Sequence, residues 1–238
     1  MQGLWSASVA ATHTEPVSRP LHSDGGSGMI FHLAGEVVLN GEVLPHGVVV
    51  QTVSKNVLQI AMAPGAQLAG VRFHPAVGYG VLGRRCYKAT LLAAADDTLY
   101  NLYGVYRQLQ QLTGNASRVT ALQLWADQQL QTAGVIPDSL TQALSCLRQD
   151  ESPGQLEQHV PLSLRQIERL FQLWLGMTPK YYQRIVRVKK ALALIRSSQA
   201  VNLVDIALQC GFSDQAHMTR EFRVIVGATP GKFCFPLR

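Results

Sequence analysis

A short signature occurs twice in the C-terminal part of this sequence, and its two copies lie 51 residues apart. The identical positions are Arg169 and Arg220, Phe171 and Phe222, Gly176 and Gly227, Thr178 and Thr229, and Pro179 and Pro230. Each copy ends in Gly-x-Thr-Pro, in which the glycine can adopt the positive φ that ends a helix and the proline suits the first turn of the next helix. This repeat restricts the region to an all-α domain with two similar halves.

The second copy, residues 203–232, predicts two short helices around a tight turn. Gly211 ends the first helix, and Ser213 or Asp214 can cap the second. Apolar residues at helical spacing form the predicted buried faces, which are Ile206, Ala207 and Cys210 on the first helix and Met218, Phe222 and Ile225 on the second. An arginine-bearing second helix held out from a small scaffold is the arrangement of a helix-turn-helix DNA reader.

The first copy predicts a helix over about 163–175 and a long connecting helix after it. Ser163 and Gln166 form a capping box. The predicted buried residues are Ile167, Leu170, Phe171 and Trp174 on the first helix and Tyr181, Ile185, Val188, Leu192 and Ile195 on the connecting helix, which Thr178 and Pro179 open. About 20 helical residues span roughly 30 Å, close to the ~34 Å that separates successive major-groove faces on one side of DNA. The spacing therefore suits two reading helices on one contiguous site.

Residues from about 138 to 235 resemble the tandem helix-turn-helix domain of AraC/XylS-type transcription regulators. The residues that carry this resemblance are IERLFQLWLGMTPKYYQRIVRVKKALALI and LVDIALQCGFSDQAHMTREFRVIVGATPGKF. The first turn of the family usually has a glycine where this chain has Pro161. Because proline fixes φ at a negative value, we expect a first turn of different shape.

Positive charge is concentrated in the same part of the chain. Residues 1–137 hold 8 Lys/Arg against 7 Asp/Glu, whereas residues 160–238 hold 12 against 4. Binding to DNA phosphates requires such a concentration, although a solvated basic face would have the same composition.

The exposed residues of the two predicted reading helices are the candidates for contact with bases. They are Arg165, Gln166, Glu168 and Arg169 on the first helix and Gln215, His217, Thr219 and Arg220 on the second. The candidates for phosphate contact are Lys180, Arg184, Lys189, Lys190 and Arg223. Each of these side chains can instead be solvated, and Arg169 and Arg220 can instead brace their own motifs.

The fold class that we predict is α+β, with a small N-terminal β-barrel or sandwich before the all-α domain. Residues 20–85 are β-rich because short Val- and Ile-rich runs alternate with Gly, Pro and Asn turns. Asn40-Gly41 is a type I′ hairpin signal. The resemblance implies that this half is cupin-like and acts as a sensor.

Residues 96–133 have a helical pattern. The first predicted apolar stripe is Leu99, Leu102, Tyr103, Tyr106, Leu109 and Leu112, and the second is Val119, Leu122, Trp125 and Leu130. These helices can cover the β-structure, or pair with a second copy in a homodimer, and the two roles can coexist. Gly134–Pro137 is the predicted linker, so the predicted domains are residues 1–134, for sensing or oligomerisation, and residues 138–238, for DNA binding.

Several function classes lack sequence support. No apolar run is long enough to span a membrane and no signal peptide is visible, so we expect a cytoplasmic protein. Four widely spaced cysteines favour neither a disulfide framework nor a zinc ribbon. His22, His32, His46 and His74 have no metal-ligand spacing. We therefore expect no metal, no cofactor and no catalytic residues.

Three functional hypotheses follow from these patterns. The first is a one-component transcription regulator that binds double-stranded promoter DNA, contacts RNA polymerase and responds to a small-molecule effector at its N-terminal domain. The alternative is a metal-dependent, cupin-like β-barrel enzyme with a basic DNA-binding appendage. In the third, the N-terminal half is an oligomerisation module without a ligand.

Overall fold

A computed structural model describes residues 1–83, 88–130, 135–197 and 202–234. The chain divides into two compact units. The first comprises Met1–Arg19, Gly26–Val53 and Leu58–Ile136, and the second comprises Pro20–Gly25, Ser54–Val57 and Pro137–Arg238. The second unit therefore includes two short segments that the predicted continuous division places in the first domain.

The strands of the first unit form two sheets. They are β1 (Gly3–Ser8), β2 (Val17–Leu21), β3 (Gly28–Ala34), β4 (Val37–Leu39), β5 (Glu42–Val43), β6 (Gly47–Gln51), β7 (Leu58–Met62), β8 (Gln67–Arg72) and β9 (Thr90–Leu91). Among the described residues one sheet has the order β1-β8-β3-β6-β9 and the other has the order β2-β7-β4-β5. Of the two predicted alternatives, barrel and sandwich, the sandwich is the one found.

Both faces of the five-stranded sheet are buried. Met29 and Phe31 of β3 lie in the apolar cluster that the covering helices share, whereas their neighbours Ile30 and His32 are equally buried. Since side chains alternate between the faces of a strand, the sheet has an apolar layer on each side. This arrangement explains why the strands appear in the sequence as continuous apolar runs.

The hairpin predicted at Asn40-Gly41 is confirmed. Asn40 and Gly41 have φ values of 52° and 85°, as a type I′ turn requires, and β4 pairs with β5 across them. Strand β1 lies outside the predicted β-rich range. Its sequence, GLWSAS, has little Val or Ile, and its order depends on antiparallel pairing with β8.

Helix α1 (Val77–Leu82) precedes the covering helices α2 (Leu102–Gln111) and α3 (Asn115–Gln129). Both α2 and α3 pack on the five-stranded sheet, so the predicted covering role is confirmed. The prediction that Leu99 belongs to the buried stripe is wrong, because the side chain is 74% exposed. Asn101, with a φ of 49°, separates Leu99 from the helix.

Arg118 of α3 is buried, and its guanidinium contacts the end of α2. Its Nε donates to the carbonyl of Leu109 at 3.3 Å and its Nη2 donates to that of Leu112 at 3.0 Å. These carbonyls lie at the C-terminal end of α2, where intrahelical donors run out. The guanidinium therefore adds donors at this helix end, where the carbonyl of Leu109 also accepts from Leu112 N–H at 3.4 Å.

The helices of the second unit follow the predicted order closely. They are α4 (Asp138–Arg148), α5 (Leu164–Leu175), α6 (Pro179–Ser197), α7 (Leu203–Gln209) and α8 (Gln215–Ile225), with 3-10 turns at Pro153–Gln158 and Pro230–Phe233. Helix α4 begins with Asp138, and Pro137 precedes it without a side-chain cap.

The last turn of α8 is closed by the two segments from the N-terminal half. Ser23 N–H donates to the carbonyl of Ile225 at 3.0 Å, and Val57 N–H donates to that of Val224 at 3.1 Å. The Ser23 hydroxyl donates to the carbonyl of Ser54 at 2.6 Å, which joins the two segments. Because the final carbonyls of a helix have no intrahelical donors, these amides complete the hydrogen bonding of α8.

Candidate nucleic-acid interface

Helix α8 begins at a well-defined turn. Gly211 has a φ of 74°, as predicted, and ends the preceding helix. Asp214 is the cap of α8, because its Oδ1 accepts from His217 N–H at 2.6 Å. The same backbone hydrogen bond lowers the pKa of the Asp214 carboxyl, so this group stabilises α8 in its ionised form.

One face of α8 is anchored in the unit, and the opposite face is open. The predicted buried residues Met218, Phe222 and Ile225 are all fully covered. On the other side, Gln215, Ala216, Thr219, Arg220 and Arg223 line a shallow, open concavity. We call these five residues the α8 face. It combines an amide and two guanidinium groups with small side chains, the kind of set that contacts base edges and phosphates in a major groove.

His217, a predicted base reader, lies away from the α8 face. Its Nδ1 is 3.1 Å from Ser213 Oγ, and its ring packs edge-on against Phe212. Its Nε2 is 3.9 Å from a carboxylate oxygen of Glu221. Ala216 occupies the open face and was not predicted, because a short apolar side chain gives no polar signal.

Helix α5 has the capping box that its sequence predicts. The Ser163 hydroxyl accepts from Gln166 N–H at 3.4 Å, and Gln166 Oε1 accepts from Ser163 N–H at 2.9 Å. Arg165, Glu168 and Arg169 are exposed, as is Gln166, whose side-chain oxygen serves the cap. Base contact by these four residues stays a prediction.

The turn before α5 differs from the turn before α8. Leu162 N–H donates to the carbonyl of Val160 at 2.7 Å, which closes a three-residue turn around Pro161. The negative φ of proline suits an inverse γ-turn of this kind. The sequence therefore predicted correctly that Pro161 gives the first turn its own shape.

Helix α6 connects the two motifs. It begins after Thr178, whose Oγ1 accepts from Tyr181 N–H at 3.2 Å, and its 19 residues span about 28 Å. The prediction that Tyr181 is buried is wrong, because its ring is half-buried. The neighbouring ring, Tyr182, is buried instead. The length of α6 remains close to one DNA turn.

The predicted phosphate contacts fall into two groups. Lys180, Lys189 and Arg223 are exposed on α6 and α8. Arg184 instead donates to both carboxylate oxygens of Glu221, at 2.7 and 3.1 Å, and this bond raises the pKa of its guanidinium. Lys190 Nζ lies 2.5 Å from Asp150, whose hydrogen bond raises the pKa of the ammonium. Arg184 and Lys190 therefore have partners within the protein that compete with a phosphate.

Within the described residues, no three of His, Cys, Asp and Glu converge on a point that could hold a metal ion. His32 is buried with Nε2 2.9 Å from the carbonyl of Gly35 and Nδ1 3.0 Å from that of Leu44. His46 stacks on it at 4.1 Å. Both nitrogens of His32 therefore serve the fold.

The paired helices, their Gly-x-Thr-Pro ends and the open basic faces define a tandem helix-turn-helix domain. Residues 156–234 match the family model described as a helix-turn-helix domain. ArgR of Pseudomonas aeruginosa, an HTH-type transcriptional regulator, is 33% identical over 95 residues, and the match covers 38% of this chain and 29% of ArgR. RhaS of Escherichia coli, an HTH-type transcriptional activator, is 44% identical over 62 residues, 26% of this chain and 22% of RhaS. The helix-turn-helix domain of this chain is therefore similar to that of AraC/XylS-type regulators.

The relatives match over only part of their length, since the chain covers less than a third of ArgR and of RhaS. Over nearly the whole chain, the structure resembles that of ToxT from Vibrio cholerae. The TM-score is 0.50, the sequence identity is 9%, and the match covers 98% of this chain and 95% of ToxT. The chain therefore shares its fold with ToxT although little of the sequence is shared. Among the described residues, no helix is long and apolar enough to cross a bilayer.

Proposed function

We propose that this protein is a transcription regulator that binds promoter DNA with α5 and α8 in successive major grooves. The α8 face carries the proposal. It is open, lies on a helix whose opposite side is fully buried, and bears Arg220 and Arg223 without an acidic neighbour in the concavity. Helix α6 supplies a spacing near one DNA turn.

The proposed roles of the exposed residues follow their chemistry. Gln215 can pair with adenine and Arg220 with guanine. On α5, Glu168 can accept from a cytosine amino group, while Arg165 and Arg169 suit guanine or phosphate. Lys180, Lys189 and Arg223 position the duplex through its phosphates, which carry no sequence information.

A footprint of the full chain on the promoter beside its own gene tests this function, with Arg220→Ala as the variant. We expect a protected stretch that the variant loses. Arg107→Ala is a matched control, because this exposed arginine lies on α2, outside the helical unit. Unchanged protection with Arg220→Ala would contradict the role of Arg220.

A salt titration tests the class of partner independently. With several phosphates neutralised, the logarithm of the binding constant should fall steeply with the logarithm of the salt concentration, by about 0.9 for each phosphate contact. A flat response would indicate that DNA is not the partner.

Regulation by a small molecule at the N-terminal unit is a further part of the proposal. ToxT, which shares the fold, has been solved with (E)-4-(8-methylnaphthalen-1-yl)but-3-enoic acid bound, and this supports a search for a largely apolar effector. Homodimer formation and contact with RNA polymerase belong to the same proposal. A titration of the footprint with candidate effectors tests the first point, and sedimentation of the full chain tests the second. A module without a ligand would show a footprint that no small molecule changes.

A further inference from the structure

The α8 face combines two small side chains with three longer ones. Ala216 and Thr219 line the concavity together with the longer side chains of Gln215, Arg220 and Arg223. Residues three and four apart share one face of a helix, so Ala216 lies beside Thr219. A base that enters the concavity between the longer side chains can therefore contact the small side chains of Ala216 and Thr219.

Thr219 has no proton to offer to a base. Its hydroxyl donates to the carbonyl of Gln215, one turn back along the helix, at 2.8 Å. A hydroxyl has a single proton, so this side chain cannot also donate to an acceptor in the groove. Thr219 therefore contributes its methyl group to the α8 face, next to that of Ala216.

The polar ring of His217 does not line the concavity. His217 lies between these residues in sequence, but its Nδ1 is placed beside the Ser213 hydroxyl and its ring packs against Phe212. The ring of His217 therefore lies outside the concavity, which Ala216 and Thr219 help to line.

Thymine is the base that presents a methyl group, at C5, in the major groove. We propose that α8 reads a thymine by contact of this C5-methyl with Ala216 and Thr219. The proposal rests on the proposed DNA-binding function and extends it to one base of the target site. The longer side chains Gln215 and Arg220 of the same face would contact the neighbouring base pairs.

The internal repeat supplies a control within the same chain. The offset of 51 residues places Arg165 at the position of Ala216 and Glu168 at the position of Thr219. Helix α5 therefore has charged groups where α8 has methyl groups. Removing thymine methyls should weaken the contact made by α8 and leave the contact made by α5 unchanged.

Deoxyuridine substitution tests the proposal, because it removes the C5-methyl of a thymine and keeps its base pairing. Duplexes that the full chain enriches from a random pool serve as the probe. Each thymine of the protected stretch is then replaced singly. We expect one position in the half-site of α8 at which affinity falls about fourfold, which corresponds to the ~0.8 kcal/mol of one buried methyl or methylene group. We expect no comparable position in the half-site of α5.

Thr219→Ser assigns the effect to a residue, because serine keeps the hydroxyl and loses the methyl. This variant should bind the thymine duplex about fourfold more weakly and should lose little more on the deoxyuridine duplex. Thr219→Val, which keeps both branches of the side chain and makes them apolar, should retain the full deoxyuridine effect.

The possible outcomes distinguish failure of the thymine contact from failure of the proposed DNA-binding function. If no duplex is enriched, or binding does not depend on salt, both fail. If a site is enriched and Arg220→Ala loses it, but every deoxyuridine duplex binds as well as its parent, the DNA-binding function stands and the methyl contact is overturned. An undiminished deoxyuridine effect in Thr219→Ser would also overturn it.

Discussion

Arg184 of α6 and Glu221 of α8 form a two-point ion pair, with Nε and Nη2 of the arginine 2.7 and 3.1 Å from the two carboxylate oxygens. The Tyr181 ring lies 4.5 Å from the same guanidinium. This pair fixes α8 to the connecting helix α6. Arg184 is also a predicted phosphate contact, so Glu221 and a DNA phosphate would compete for its guanidinium.

We expect Arg184→Ala and Glu221→Ala to be coupled in stability. The pair is partly exposed, so a double-mutant cycle by urea denaturation should give a coupling of about 1 kcal/mol or less. If the ion pair persists on DNA, Arg184→Ala should leave the salt slope of binding unchanged, whereas Lys180→Ala should reduce it by about 0.9. A reduced slope for Arg184→Ala with no coupling would instead assign Arg184 to a phosphate.

The cap of α8 should make stability depend on acid pH. The Asp214 carboxyl has a lowered pKa in the folded protein because it accepts from His217 N–H. Its stabilisation is complete above the unfolded value, about 3.9, and is lost as pH falls through the lower folded value. Thermal unfolding should therefore show wild type exceeding Asp214→Asn at pH 6, with the difference shrinking toward pH 3. Ser213→Ala should keep the wild-type dependence, and a pH-independent difference for Asp214→Asn would contradict the assignment.

Val57 should influence DNA binding without lying in the proposed interface. Val57→Pro removes the N–H that donates to the Val224 carbonyl at the end of α8. We expect it to lower the unfolding temperature and to weaken DNA binding several-fold, with the salt slope unchanged because no phosphate contact is lost. Val57→Ala keeps the N–H and serves as the matched control. Equal effects of the two substitutions would show that side-chain packing, and not the amide, is responsible.

Cys210 should react slowly with alkylating reagents in the folded protein. It is buried in the core of the second motif, and burial raises the pKa of its thiol. Since the thiolate is the reactive form, iodoacetamide should modify Cys210 more slowly than the half-buried Cys146. Mass spectrometry of peptides from a pH 8 time course measures both rates. The difference should vanish in denaturant, and equal rates in the folded chain would contradict the buried position.

Local signals in the sequence predicted the local features of the fold. The hairpin at Asn40-Gly41, the capping box at Ser163 and the helix end at Gly211 each depend on residues within a few positions of one another. Short-range chemistry of this kind can be identified without knowledge of the tertiary structure. The repeat then added a relation between two distant parts of the chain.

Features that depend on long-range contact were not predictable in this way. The orientation of the His217 ring depends on its contacts with Phe212 and Glu221. The ion pair of Arg184 with Glu221 joins two different helices. Strand β1 owes its order to β8, and Tyr182 replaces its neighbour Tyr181 in the core because helical periodicity alone does not fix rotation to within one residue. The concavity at Ala216 is invisible to a search for polar side chains.

The amides of Ser23 and Val57 that close α8 also limit how this protein can be dissected. A fragment that begins at residue 137 would have two open carbonyls at the end of its second reading helix. A chimera of that fragment with a foreign sensor domain should therefore bind its operator more weakly, unless the segments Pro20–Gly25 and Ser54–Val57 are included. The smallest part of this chain with a fully capped second reading helix is therefore discontinuous in sequence.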